Sequence, residues 1–232
     1  MNRRRFCRAT VAAGVVSPVA AWPVHAEESG VLKFGVITDV HQDIMHDAEE
    51  RLGVFAQAMK EAEVDFVVQL GDFCVPKEGN RKFLEIWDSI AVPRYHVLGN
   101  HDTDGGYKRE ETVKWWGMPA RYYSFDQGGM HFVVLDGNDR PEGHTSGYPR
   151  FIADDQIKWL EEDLKATGLR TVVFVHQSLE REEEGGVQNG AAVRGVLEAA
   201  GAGKVVACFS GHHHRDYVRE ISGIAYPQIN SA

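Results

Sequence analysis

Residues 209–217 read FSGHHHRDY, with His212, His213 and His214 side by side after an apolar run and a glycine. A neutral imidazole is a common ligand for transition metals. Four other segments offer groups of the same kind. DVH supplies Asp39 and His41, GD supplies Asp72, GNHD supplies Asn100, His101 and Asp102, and His176 stands alone before Gln177 and Ser178. Any one of these is an ordinary turn or cap residue. Together they form a donor set of carboxylates and imidazoles suited to Zn, Mn or Fe, and the absence of cysteine among them argues against a thiolate zinc site. Asp39, His41, Asp72, Asn100, His176, His212 and His214 are more ligands than one ion needs. Two ions sharing a bridging carboxylate accommodate them and leave positions open for water. Two divalent ions against Asp39, Asp72 and one hydroxide leave the site positive, which favours a phosphate oxyanion.

These groups need elements that bring them together. Each follows a short β-rich run: 31–38, 64–70, 94–99, 170–176 and 204–210, with a sixth run at 130–136. Carboxyl ends of parallel strands share one edge of an α/β sheet, and ligands bind there. Helical periodicity lies between several runs. Residues 48–62 place Leu52, Phe55 and Met59 on one face, 154–167 do so with Ile157, Leu160 and Leu164, and 189–200 form a third helix. Gly128-Gly129 and Ser222-Gly223 mark hairpin turns, so the sheet is mixed rather than purely parallel. Trp115, Trp116, Tyr122, Tyr123 and Phe125 read as packing residues. His46, His96, His131 and His144 fit no motif and read as structural or surface groups. Two long polar loops span 137–153 and 177–189; Tyr148 and His144 in the first are second-rank candidates for touching a leaving group. Glu180 to Glu184 read as a solvated face.

The chain has 232 residues, 43% apolar and 25% charged, which suits one sizeable α/β core. Residues 1–26 carry Arg3, Arg4, Arg5 and Arg8 and no acid, so without them the net charge moves from −9 to −13. Such an acidic body, with no Lys/Arg cluster, does not favour a nucleic-acid partner. NRRRFCR followed by a short apolar run broken by Ser17 and Pro18 reads as a twin-arginine export signal ending near Ala26. The expected mature domain is 27–232, periplasmic or secreted, with no stable membrane anchor. Cys74 and Cys208 follow apolar runs and read as buried free thiols. The chain ends soon after the strand-like AYPQIN, which suits either a fragment or a strand closing a sheet edge.

In order and spacing, DVH, GD, GNHD, His176 and GHHH over residues 39–214 resemble the calcineurin-like metallophosphoesterase superfamily. The resemblance implies a layered α/β/β/α sandwich with mixed sheets and a metal site at the carboxyl ends of the strands. It implies one ion on Asp39, His41, Asp72 and His214 and a second on Asp72, Asn100, His176 and His212, with Asp72 bridging and His213 free. It implies His101 as the group that faces the substrate and protonates the leaving group, with Asp102 orienting it. The nucleophile would be a metal-bridging hydroxide, and the two ions divalent or trivalent. The implied substrate is a small phosphate mono- or diester; a non-catalytic scaffold of the same fold is the alternative. Val75 stands where purple acid phosphatases carry a tyrosine ligand, which sets that branch aside.

Overall fold

The computed structural model describes residues 31–144 and 146–232; the stretch read as an export signal lies outside them. The elements are β1 (Phe34–Ile37), α1 (Ala48–Ala62), β2 (Phe66–Gln69), α2 (Arg81–Asp88), β3 (Arg94–His96), α3 (Arg109–Trp116), β4 (Tyr123–Gln127), β5 (Met130–Val134), α4 (Asp154–Ala166), β6 (Arg170–Phe174), α5 (Gly190–Ala199), β7 (Val205–Phe209), β8 (Tyr217–Ile221) and β9 (Ile224–Gln228). They build two sheets. One is β1-β2-β3, all parallel; the other runs β4-β5-β6-β7-β9-β8, with antiparallel pairs only at its two edges.

Side-chain alternation along the strands explains the layering. Phe132, Val134, Val172 and Phe174 point into a core shared with Ile37, Phe66 and Val68 of the first sheet. Their neighbours Val133, Val173 and Val175 point the other way, onto Leu160 and Leu164 of α4 and Val193 and Leu197 of α5. Between the sheets the rings interlock: Phe66 meets Phe132 edge-on at 4.9 Å, and Phe34 meets Phe132 edge-on at 5.9 Å. Leu52, Phe83 and Trp87 from α1 and α2 cover the far face of the first sheet. With both faces covered, β2 reads FVVQ and every residue in it is buried. The result is helices, sheet, sheet, helices, the expected sandwich.

Several expectations change. Helices α2 and α3 occupy stretches read without helices. The last strand is not an edge: β9 is inserted parallel to β7, and β8 takes the edge. Cys74 and Cys208 are buried free thiols, as expected. Trp116 and Tyr123 are buried in the core that Phe125 packs against. Among the described residues no helix is long and apolar enough to cross a membrane.

Candidate metal centre

The five strands β1, β2, β3, β6 and β7 deliver their polar ends to one place. Asp39, His41 and His214 bring one ligand atom each within 4.8 Å of one another, and Asp72, His176 and His212 do the same. Asp72 lies between the two groups: its Oδ2 is 3.8 Å from His41 Nε2 and 3.2 Å from His176 Nε2. Asn100 joins the second group through its carbonyl, with Oδ1 3.2 Å from His176 Nε2. All seven sequence-predicted ligands therefore converge. His213 turns away, its Nε2 3.0 Å from the Ser178 hydroxyl.

Convergence demands unusual backbone. Asp39, His41, Asp72, His212 and His214 all have φ between 51° and 72°. A non-glycine residue in this left-handed region costs about 1 kcal/mol or more, and such residues collect at functional sites. Glycine supplies the remaining room. A Cβ on Gly99 would fall on the Asp72 amide and carboxylate, and one on Gly211 on the Thr38 hydroxyl and Asp39 carboxylate. The glycines of GNHD and GHHH thus exist so that neighbouring strand ends can touch.

The hydrogen bonds aim the donors inward. His176 Nδ1 lies 2.8 Å from the Leu70 carbonyl, which makes Nδ1 the donor and turns Nε2 toward the centre. The Asp39 carboxylate accepts from Thr38 Oγ1 at 2.6 Å and from the His212 amide at 2.9 Å. His101's amide donates to Asp72 Oδ1 at 2.8 Å.

Electrostatics test whether a cation fits. Burial opposes ionisation of Asp39 and Asp72, yet neighbouring imidazoles hold both carboxyls below the usual range. Burial should also neutralise His176, but the Asp72, Asp39 and Asp102 carboxylates outweigh it and raise the ring to about 9. The centre therefore favours positive charge. His212 is pushed down to about 3 by burial and by His176, so its lone pair is free. His41 Nε2 and His214 Nε2 lie 3.3 Å apart, two ring nitrogens aimed at one point. Ionised carboxylates and imidazole nitrogens facing a common centre fit two transition ions, and an ion beside His176 would take the place of the proton that the surrounding carboxylates favour there.

His101 sits at the rim, its ring 5.2 Å from that of His41. Here the expectation for Asp102 fails. Its carboxylate accepts the backbone amides of Asp72 (2.9 Å), Phe73 (2.7 Å) and Gly99 (2.7 Å) and does not touch the His101 ring. Asp102 is fully buried and ties the β2 and β3 loops together. The partner of His101 is Asp104, whose Oδ2 is 2.6 Å from Nδ1. A 3₁₀ turn opens at His101 and breaks at Asp104, whose backbone is extended (ψ 155°), and the single turn before the break brings positions 101 and 104 together. That i, i+3 spacing was the signal available for Asp104. Tyr148 also reaches His101, its hydroxyl 3.2 Å from Nδ1; His144 lies exposed in the same loop.

A parallel and a mixed sheet face to face, with acids and histidines gathered on one strand-end edge, define a metallophosphoesterase-type sandwich. The model of the calcineurin-like phosphoesterase family matches residues 32–216, and the chain belongs to that family. Solved structures agree on the fold. A dimetal phosphatase from Danio rerio is 19% identical with a TM-score of 0.72, over 87% of this chain and 88% of that one. The inner-membrane-complex anchor of Plasmodium gives 17% and 0.61, over 86% and 71%. A phosphopantetheinyl hydrolase of Mycobacterium tuberculosis gives 12% and 0.55, over 86% and 90%. Among curated proteins none matches the chain.

Proposed function

We propose that the protein hydrolyses small phosphate mono- or diesters with two transition-metal ions, Mn, Fe or Zn. Asp39, His41, Asp72 and His214 would hold one ion, and Asp72, Asn100, His176 and His212 the other. The observation that carries this reading is the meeting of two ligand triads across Asp72, with His101 at their open side. When bound, the ions supply Lewis acidity toward a phosphoryl oxygen and an activated water. His101 stabilises the phosphoryl oxygens and hands a proton to the departing oxygen. Asp104 accepts from Nδ1–H, so that in the imidazolium the second proton, on Nε2, is the one given to the departing oxygen. Asp102 keeps the β2 and β3 loops in register.

A scaffold of this fold has no need of a full ligand set and an oriented rim histidine, and this chain keeps both. The test uses the purified protein. Bound metal is quantified, then hydrolysis of para-nitrophenyl phosphate and of its bis-ester is followed with added Mn²⁺ and with chelator. About two ions per chain and chelator-sensitive turnover are expected. Metal without turnover of any ester would favour the scaffold, and neither metal nor turnover would overturn the reading. We also read residues 1–26 as a twin-arginine export signal that sends the protein to the periplasm or beyond. Replacing Arg4 and Arg5 by Lys should then retain it in the cytoplasm on fractionation.

A further inference from the structure

A cleft of about 710 Å³ opens directly from the metal centre, sharing Asn100 with it and Asp104 and Tyr148 with the rim histidine. Its cations set it apart from the acidic surface of the rest of the chain. Lys108, Arg109 and Arg140 all line it. Arg109 is already neutralised, with Nη1 2.7 Å from both Asp136 and Asp139. Lys108 and Arg140 have no carboxylate within ion-pair distance among the described residues. Arg140 is instead braced by carbonyls, with Nη1 3.1 Å from Ser146 O and Nη2 2.7 Å from Gly147 O. Carbonyls fix the orientation of a guanidinium without cancelling its charge, which leaves it preorganised for an anion. Of the two carboxylates on the lining, Asp104 is engaged by His101, and Glu110 stands exposed in the first turn of α3.

We propose that this cleft receives a second anionic group, phosphate or carboxylate, carried on the leaving group of the substrate. The leaving group departs on the side of His101, and His101 borders the cleft through Asp104 and Tyr148. A molecule with its scissile phosphate at the metal centre would place its remaining charge among Lys108 and Arg140. Tyr148, whose ring centroid is 4.7 Å from that of His101 and which is half exposed, offers an apolar face between the two anions. The substrate class is therefore a phosphate ester bearing a second anion, not a neutral alcohol or sugar ester. This rests on the phosphoesterase reading for the word substrate, but the charge recognition can be measured without turnover.

The test compares non-hydrolysable ligands on the Mn²⁺-loaded protein by calorimetry: phenylphosphonate, 4-carboxyphenylphosphonate and 1,4-phenylenediphosphonate. At least one of the doubly anionic ligands should bind about tenfold tighter than phenylphosphonate, and which of them does so tells carboxylate from phosphate. In the Lys108→Ala/Arg140→Ala protein the preference should fall to near one, and in Glu110→Gln it should rise. Added salt should compress the preference in the unmodified protein, a check that needs no variant to fold. Equal binding of all three ligands by the unmodified protein would overturn the proposal. So would a preference that survives both the double variant and salt. A preference without turnover of any ester would sink the phosphoesterase reading and leave the anion cleft standing; turnover without preference would do the reverse.

Discussion

Two aspartates two positions apart carry different burdens. Asp104 touches the His101 ring and is partly exposed, whereas Asp102 is buried and accepts three backbone amides. Replacing Asp104 by Asn should slow turnover about tenfold or more, through loss of charge behind the imidazole, while metal content and melting temperature stay put. Replacing Asp102 by Asn turns an amide nitrogen toward backbone donors. It should cost about 3 kcal/mol, from buried donors left without an acceptor, or roughly 6–12 °C in melting temperature. Equal thermal stability of the two variants would refute this division. Asp72 is different again because it faces both triads. Asp72→Ala should leave the purified protein without either ion, which elemental analysis reads directly; His101→Ala should keep both ions and lose about a hundredfold or more in rate. A metal-loaded Asp72→Ala protein would remove the bridging role.

At the scale of elements, a second histidine cluster shows what lies outside the motifs. His131 on β5 lies between Asp126 of β4, 2.6 Å from Nδ1, and Asp163 of α4, 2.8 Å from Nε2; Ser124 also donates to Asp163. Burial lowers the His131 pKa, but the two carboxylates outweigh it and the net shift is upward. Burial likewise raises Asp163, and His131 and Ser124 outweigh that, so its net shift is downward. The signs set a window. A raised imidazole stabilises the fold fully below its unfolded value, near 6.5, and loses that contribution as pH rises through the folded value. A lowered carboxyl contributes above its unfolded value, near 3.9, and loses it as pH falls through the folded value. The clamp between the β4-β5 hairpin and α4 should therefore be strongest between those limits. His131→Gln should flatten the decline of melting temperature on the alkaline side; an unchanged profile would refute the clamp.

Sequence patterning revealed the strand runs, three helices and both hairpins because each is a local signal. It did not reveal α2 and α3. RKFLEIWD and REETVKWW are eight residues each, and so short a helix owes its stability to the surfaces it packs on. The insertion of β9 between β7 and β8 was hidden for a related reason, since strand order is decided by contacts far apart in the chain. In the candidate site the ligand types were legible and their left-handed backbone was not, because aspartate and histidine do not advertise positive φ as glycine does. Glu180 and Glu182, read as part of a solvated run, proved engaged with Tyr217 and Arg194.

The two sheets pack face to face over one core, and at one edge their strand ends bring the candidate ligands together. The first sheet contributes Asp39, His41, Asp72 and Asn100 from the ends of β1, β2 and β3; the second contributes His176, His212 and His214 from β6 and β7. Neither triad belongs to one sheet: His214 completes Asp39 and His41, while Asp72 completes His176 and His212. An ion in either group would cross-link the two layers, and an unfolded chain has no preformed site with which to compete. Metal binding should therefore act on the stability of the entire sandwich and not only on the loops. At free metal about a thousandfold above Kd the folded state gains about 4 kcal/mol, which for a chain of this size corresponds to roughly 8–16 °C in melting temperature. The shift should vanish with chelator and in Asp72→Ala, and it should be seen equally by far-ultraviolet circular dichroism and by tryptophan fluorescence, because Trp87 and Trp116 lie in the core behind the site. Melting that ignores Mn²⁺, Zn²⁺ and Fe²⁺ alike would mean the strand ends do not hold metal. A shift in one probe alone would mean that the ions order the loops without joining the two sheets.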